Sequence, residues 1–249
     1  MKTLRLVSYN IRYGGSGREE LIVAAIKICD PDVVLLQEAT RPAVVDRLAA
    51  EAGMAQCATF KRQSLGFMSR ERVEHYEWHR PRLSRHAFLE VVPAGGAVRL
   101  FGVHLSAVHA AWTERRRLFE MRSLLKSIER HQSGFHVLAG DFNTLAPGEL
   151  LDVRRLPPRL RPFLWLSGGR VRWRTVQQVL DSGYVDAFRL LHVNDPGFTF
   201  PTTDPHIRLD YVFVPTQFAD RVKRCEIALS RTTEKASDHL PLVSEFQLD

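Results

Sequence analysis

Residues 136–144 read HVLAGDFNT, an apolar run that stops at Gly140 and is followed by an acid and an amide, Asp141 and Asn143, on either side of Phe142. An apolar run closed by glycine is strand material. Side chains two residues apart on an extended chain point the same way, so Asp141 and Asn143 would address one direction. Two readings follow. Gly, Asp and Asn all accept the backbone angles of a turn after a strand, and an acid beside an amide is equally the start of a reactive site.

Working outward, strand-like runs cover residues 3–9, 32–37, 65–69, 87–92, 98–105, 135–139, 208–214, 225–229 and 242–248. Helical periodicity is clearest over 112–128, where Leu118, Met121, Leu125 and Ile128 recur at spacings of three and four; a second helix is expected over 19–28, closed by Pro31. Many short strands with few helices between them predict an α+β sandwich, two sheets inside and helices outside. No internal repeat, linker or composition break divides the chain, so residues 1–249 are expected to form a single domain. Residues 153–176, dense in Arg, Pro and Trp, read as an insertion that is poor strand or helix material.

Other runs end as the opening one does, in polar residues: Asn10 in VSYNIR, Glu38 in LLQEAT, His104 in GVHLS, Asp210 in LDYVFV, and Asp238 with His239 in ASDHLPL. Each has a second reading when taken singly. Asn10 caps a turn, Glu38 opens a helix, His104 is a hydrogen-bonded core histidine, Asp210 pairs with Arg208 or Arg174, and Asp238 with His239 forms a turn. As a set they offer carboxylates, imidazoles and amides without cysteine, which suits a hard cation held through oxygen, magnesium or manganese, and disfavours zinc.

The whole chain bounds the function further. Its formal charge is +7 and its pI about 9.7, with the surplus mostly arginine, which fits a phosphate-bearing partner. Cys29, Cys57 and Cys225 are widely spaced and suggest neither a disulfide framework nor a zinc site, so a reducing cytoplasm is expected. The opening MKTLRLVSYN alternates apolar and polar residues as a strand does, and no run is long enough to cross a bilayer.

In order and wording, Asn10, QE at Glu38, HL at His104, GDFN at Asp141 and Asn143, LDYVFV at Asp210 and SDH at Asp238 and His239 resemble the endonuclease/exonuclease/phosphatase superfamily, of DNase I-like fold. The resemblance implies a four-layer α/β/β/α sandwich and Mg2+- or Mn2+-dependent hydrolysis of phosphoesters. It also implies roles: Glu38, Asn10 and Asp238 at the metal, Asp141 as the base on the attacking water, Asn143 as a donor to a phosphate oxygen, and Asp210 orienting His239. Histidine at position 104 is similar to DNase I-like, sphingomyelinase-like and tyrosyl-DNA phosphodiesterase-like members, whereas abasic endonucleases of the exonuclease III type tend to carry tyrosine there.

For the substrate, Arg115, Arg116 and Arg117 and the insertion's arginines, Arg172 among them, beside Trp173 suit a polyphosphate backbone with bases stacked on aromatic rings. A nuclease acting on DNA or RNA is therefore expected; the alternative is a phospholipid (sphingomyelinase-like) or other small phosphoester hydrolase, in which Phe163, Leu164, Trp165 and Leu166 dip into an anionic lipid surface while arginines meet headgroups. A solvated basic loop is the plain reading of the same arginines. Phe198 and Phe200 in GFTFP stack on substrate or pack in the core. No protein partner is implied, and a monomer is expected.

Overall fold

The computed structural model describes residues 2–60, 63–81, 86–107, 111–131, 133–149, 151, 152, 154, 155 and 173–249. Most of the Arg/Pro/Trp-rich stretch, Arg172 included, lies outside them.

Two six-stranded sheets carry the fold. The first is ordered β11 (Val222–Ile227), β12 (Leu242–Gln247), β1 (Thr3–Asn10), β2 (Val33–Gln37), β4 (Leu65–Ser69), β3 (Gln56–Thr59). The second runs β5 (His75–His79), β6 (Phe88–Val92), β7 (Arg99–His104), β8 (His136–Asp141), β10 (Asp210–Pro215), β9 (Tyr184–Asp186). Each sheet has one parallel pair at its centre, β1 with β2 and β7 with β8, and its other pairs are antiparallel. A parallel pair needs a crossover. Helix α1 (Glu19–Cys29) makes it in the first sheet and α3 (Ala111–Ser127) in the second, so the sheets share a plan that the sequence does not show as a repeat.

Alternation along the strands sorts the apolar residues into three layers. Leu4, Leu6, Leu35, Phe67, Leu89, Leu100, Val137 and Val212 fill the space between the sheets. Val7, Tyr9, Val34 and Leu36 face outward from the first sheet onto Ile22, Ile26, Val45 and Leu48 of α1 and α2 (Pro42–Ala52). Phe101, Leu138, Tyr211 and Phe213 face outward from the second onto Met121, Leu124 and Ile128 of α3 and its end, and onto Val176 and Val179 of α4 (Arg174–Asp181). The result is the expected α+β sandwich, helices outside two packed sheets.

The anticipated strands are present with ends moved by a few residues. β3, β5 and β9 are additional: β3 and β9 are short, and β5, HYEWH, alternates polar residues with aromatics at a sheet edge, so none is an apolar run. α2 was not expected either. Its Pro42 occupies the first turn, where a missing N–H costs nothing, and Gly53 closes it in the left-handed conformation. Helix α4 begins at Arg174, inside the stretch read as poor helix material.

Candidate active site

Rows of the inter-sheet core run out into polar residues at one rim. Leu4 and Leu6 lead through Ser8 to Asn10, Leu100 through Gly102 to His104, Val137 and Ala139 to Asp141, and Val214 and Val212 to Asp210. The positions share the inward parity of their strands, so the apolar layer ends where the polar one starts. In the ladders Asp141 stands opposite both His104 and Asp210. Asn10 is level with Gln37, directly before Glu38.

Hydrogen bonds join these residues across both sheets. Asn10 Nδ2 donates to Asp141 Oδ2 at 3.0 Å and approaches Glu38 Oε1 at 3.4 Å. His239 Nδ1 meets Asp210 Oδ2 at 2.9 Å, while its Nε2 and that of His104 lie 3.9 and 3.8 Å from Asp141 Oδ2. Ser237 Oγ donates to the Asn10 carbonyl at 2.7 Å, which fixes the SDH segment against the end of β1. Asp238 is half-buried and takes an ion pair from Arg12 Nε at 3.2 Å.

The opening stretch forms the turn of its first reading, at the rim where the polar residues gather. The Asn143 backbone N–H donates to Asp141 Oδ1 at 2.9 Å, an Asx turn, and Asn143 Nδ2 donates to Asp141 Oδ2 at 3.1 Å and to the Leu105 carbonyl at 3.0 Å. Two acceptors fix the amide's orientation, because turning it over would set its oxygen against a carbonyl and a carboxylate. Asn143 has a φ of 52°, so it does not continue the strand beside Asp141. Its amide nitrogen donates to both of these acceptors here.

Backbone strain concentrates at the same rim. Among the described residues, non-glycine residues at positive φ are Arg12, Tyr13, Asp30, Glu38 and Asn143, and all but Asp30, the αL cap of α1, belong to the site. Such conformations persist where surrounding contacts hold them. Here the Tyr13 N–H donates to Glu38 Oε2 at 2.6 Å, and Arg18 Nη2 donates to the Ile11 and Arg12 carbonyls at 2.9 and 2.6 Å. Arg12, Tyr13 and Arg18 were missed in the sequence; the only signal was the glycine pair that follows in RYGG.

The remaining expectations divide. Arg115 and Arg116 are exposed on the first turns of α3, and Trp173 is exposed just before α4. Arg117 is buried instead: its guanidinium donates to Glu114 Oε2 and to the Ser106 carbonyl, and Glu114 Oε1 accepts from the N–H and hydroxyl of Thr175. It ties α3 to α4 and is removed from the phosphate-facing set. Arg208 pairs with Glu149 and Asp186 and leaves Asp210 to His239. Phe200 packs on the His239 ring, centroids 4.8 Å apart, beside Leu145, Ile207 and Leu209.

Sequence comparison places residues 7–239 within one family. The chain belongs to the Endonuclease/Exonuclease/phosphatase family. Its members are hydrolytic nucleases and phosphatases, and divalent-metal dependence is typical of them. No curated protein sequence matches the chain. Solved structures of similar fold include an AP endonuclease from Archaeoglobus fulgidus, 19% identical with a TM-score of 0.72, covering 98% of this chain and 99% of that one. The 3' phosphatase NExo from Neisseria, bound to a product DNA hairpin, is 20% identical with a TM-score of 0.73 over 98% and 99% of the two chains. Humanized D. rerio TDP2 is 19% identical with a TM-score of 0.68, again over 98% and 99%.

The electrostatics of this family member's rim are those of a charged site under a dry layer. Burial pushes the Asp141 carboxyl up to about 7; His239 opposes that rise and Asp210 adds to it. Burial alone would lower His239, but Asp210 and Asp141 overcome it and push the imidazole up to about 10. His104 goes the other way, to about 3, through burial and the repulsion of His86 and His239. One ligand atom each from Asp141, Asp210 and His239 lies within 4.8 Å of the others, and Asp210 Oδ1 is buried without a hydrogen-bond partner. Buried acids with an orphaned oxygen, beside the half-buried Glu38, fit an oxygen-loving cation. Among the described residues no helix is long and apolar enough to cross a membrane, and the three cysteines are free.

Proposed function

We propose that this chain is a Mg2+- or Mn2+-dependent phosphodiesterase that cleaves nucleic acid. The observation that carries the reading is the continuous chain of contacts from Glu38 through Asn10 to Asp141, with the Asp210–His239 pair against it. A nucleophile, a base and a donor for developing negative charge are what attack on a phosphodiester needs.

Glu38, with Asn10 adjacent and Asp238 on the outer side, would hold the cation, which supplies charge neutralisation at the phosphoryl oxygens when bound. Asp141, with a carboxyl held near neutrality, is suited to accept the proton of the attacking water. Asn143 and Asn10 are positioning residues for it: both side-chain amides donate to Oδ2 and the Asn143 backbone N–H donates to Oδ1. Asp210 and Asp141 push the His239 pKa up, which favours the imidazolium, and Asp210 holds the ring, so it can donate to the phosphoryl oxygen. His104, kept neutral, offers a dipole there without a second full charge.

Nucleic acid is favoured over other phosphoesters by the chain's net charge of +7 and by the exposed Arg115, Arg116 and Trp173. A panel of plasmid, single-stranded DNA, RNA, sphingomyelin vesicles and a small phosphate monoester, each with Mg2+ or Mn2+, tests the choice. Nucleic-acid cleavage that weakens steeply with added salt, and more gently in Arg115→Ala/Arg116→Ala, supports it. Turnover of the vesicles or the monoester alone would replace the substrate while leaving the site.

A further inference from the structure

The edge of the second sheet carries another group of side chains of metal-ligating type, with β6 and β7 between the edge strand β5 and β8. On β5, His75, Glu77 and His79 alternate with the aromatic Tyr76 and Trp78, so all three project from one face. Across the antiparallel pair, Glu77 stands directly opposite Glu90 of β6. Two like charges face to face in a ladder destabilise it. Glu90 is buried and uses Oε1 for Arg99, while its Oε2 lies 2.6 Å from His79 Nε2. Among the described residues, the cationic groups paired with Glu77 are the imidazoles, His75 Nε2 at 3.6 Å and His79 Nδ1 at 4.0 Å.

We propose that His75, Glu77, His79 and Glu90 form a second metal site, which takes a first-row transition ion, Zn2+ by preference. Ligand atoms of His75, Glu77 and Glu90 already lie within 4.8 Å of one another, and His79 borders both carboxylates. Two imidazoles with two carboxylates suit Zn2+, whereas the amide- and carboxylate-rich rim suits Mg2+. Charged side chains do protect sheet edges from pairing with other chains. Edge protection calls for exposed charges, however, and does not account for a buried acid placed opposite another acid with an imidazole on either side of it. Arg99 engages only Glu90 Oε1, so the ion would take the place of the contact between Glu90 Oε2 and His79 Nε2, and it would clamp the edge strand β5 to β6.

The test is calorimetric titration of Zn2+ into metal-stripped protein in saturating Mg2+, read beside the melting temperature. His75 and Glu77 have side chains 51% and 54% exposed, so His75→Ala/Glu77→Gln should fold and keep its Mg2+-supported activity. Wild type should bind one Zn2+ and melt higher in its presence. His75→Ala/Glu77→Gln should bind roughly tenfold more weakly or worse and lose the thermal shift, whereas Glu38→Gln/Asp141→Asn should bind as wild type does. No Zn2+ binding by wild type, unchanged binding by the edge variant, or binding lost only from the rim variant would each overturn the proposal.

Discussion

Asn10, at the end of the first strand, donates to Asp141 Oδ2 at 3.0 Å from the opposite sheet, across 131 residues of sequence. The bond fastens the two sheets at the rim where their inward rows turn polar, and it holds one oxygen of the proposed base. Asn10→Ala should therefore lower kcat by about 10- to 100-fold, and cost about 1–3 kcal/mol through a buried carboxylate left short of a donor. Steady-state kinetics and urea unfolding check both; a variant with unchanged kcat would contradict the positioning role.

Metal-free protein should lose stability as pH rises from about 4 to about 7. Asp141 is pushed up to about 7 in the fold, above the unfolded carboxyl near 3.9, so over that window the folded chain holds a proton that the unfolded chain has released. Urea midpoints at pH 5 and 7.5 should differ more in wild type than in Asp141→Asn. A cation held at Glu38 and Asn10 beside Asp141 would disfavour that proton, so Mg2+ should stabilise the protein more at pH 7.5 than at pH 5. Equal pH slopes in the two proteins would remove Asp141 as their source.

His239 and Asp210 should behave as one unit. His239→Ala and Asp210→Asn are each expected to cost about 100- to 1,000-fold in kcat, and the double variant little more, because a pair that acts together is lost with either member. The pH dependence has the same sign as that of Asp141, because both groups are raised in the fold, but it falls in a higher window. His239 is raised to about 10, so its contribution is complete below the unfolded value near 6.5 and is lost as pH rises towards 10. Additive kinetic losses in the double variant would argue for separate roles.

Gly140 should tolerate no side chain. A Cβ there would lie 1.8 Å from the Val103 carbonyl oxygen, and backbone cannot swing aside as a side chain can. Gly140→Ala should cost more than about 4 kcal/mol or abolish folding, by circular dichroism and expression yield. A well-folded, active variant would show that β7 and β8 can separate at the rim.

Much of this was legible in the text because it rests on alternation. HVLAG and LDYVFV keep the parity that buries Val137, Ala139 and Val212, and the same parity delivers Asp141 and Asp210 to the rim. What escaped reading lies where parity fails. Arg12 and Tyr13 sit in a left-handed turn that no apolar pattern marks, and Asn143 leaves the strand for the same conformation. Arg117 misled because the buried face of α3 is part ionic: Glu114 and Arg117 neutralise each other there, while a sequence shows only charge. β5 was invisible because its outward residues are His75, Glu77 and His79.

The most direct test of the central claim is cleavage of supercoiled plasmid and of a labelled oligonucleotide by wild type, Glu38→Gln and Asp141→Asn, with Mg2+ and with chelator. Wild type should cut only with the metal, and each variant should fall by about 100-fold or more while melting as a folded protein. Cleavage by wild type that persists in chelator, or by folded Glu38→Gln at the wild-type rate, would contradict it.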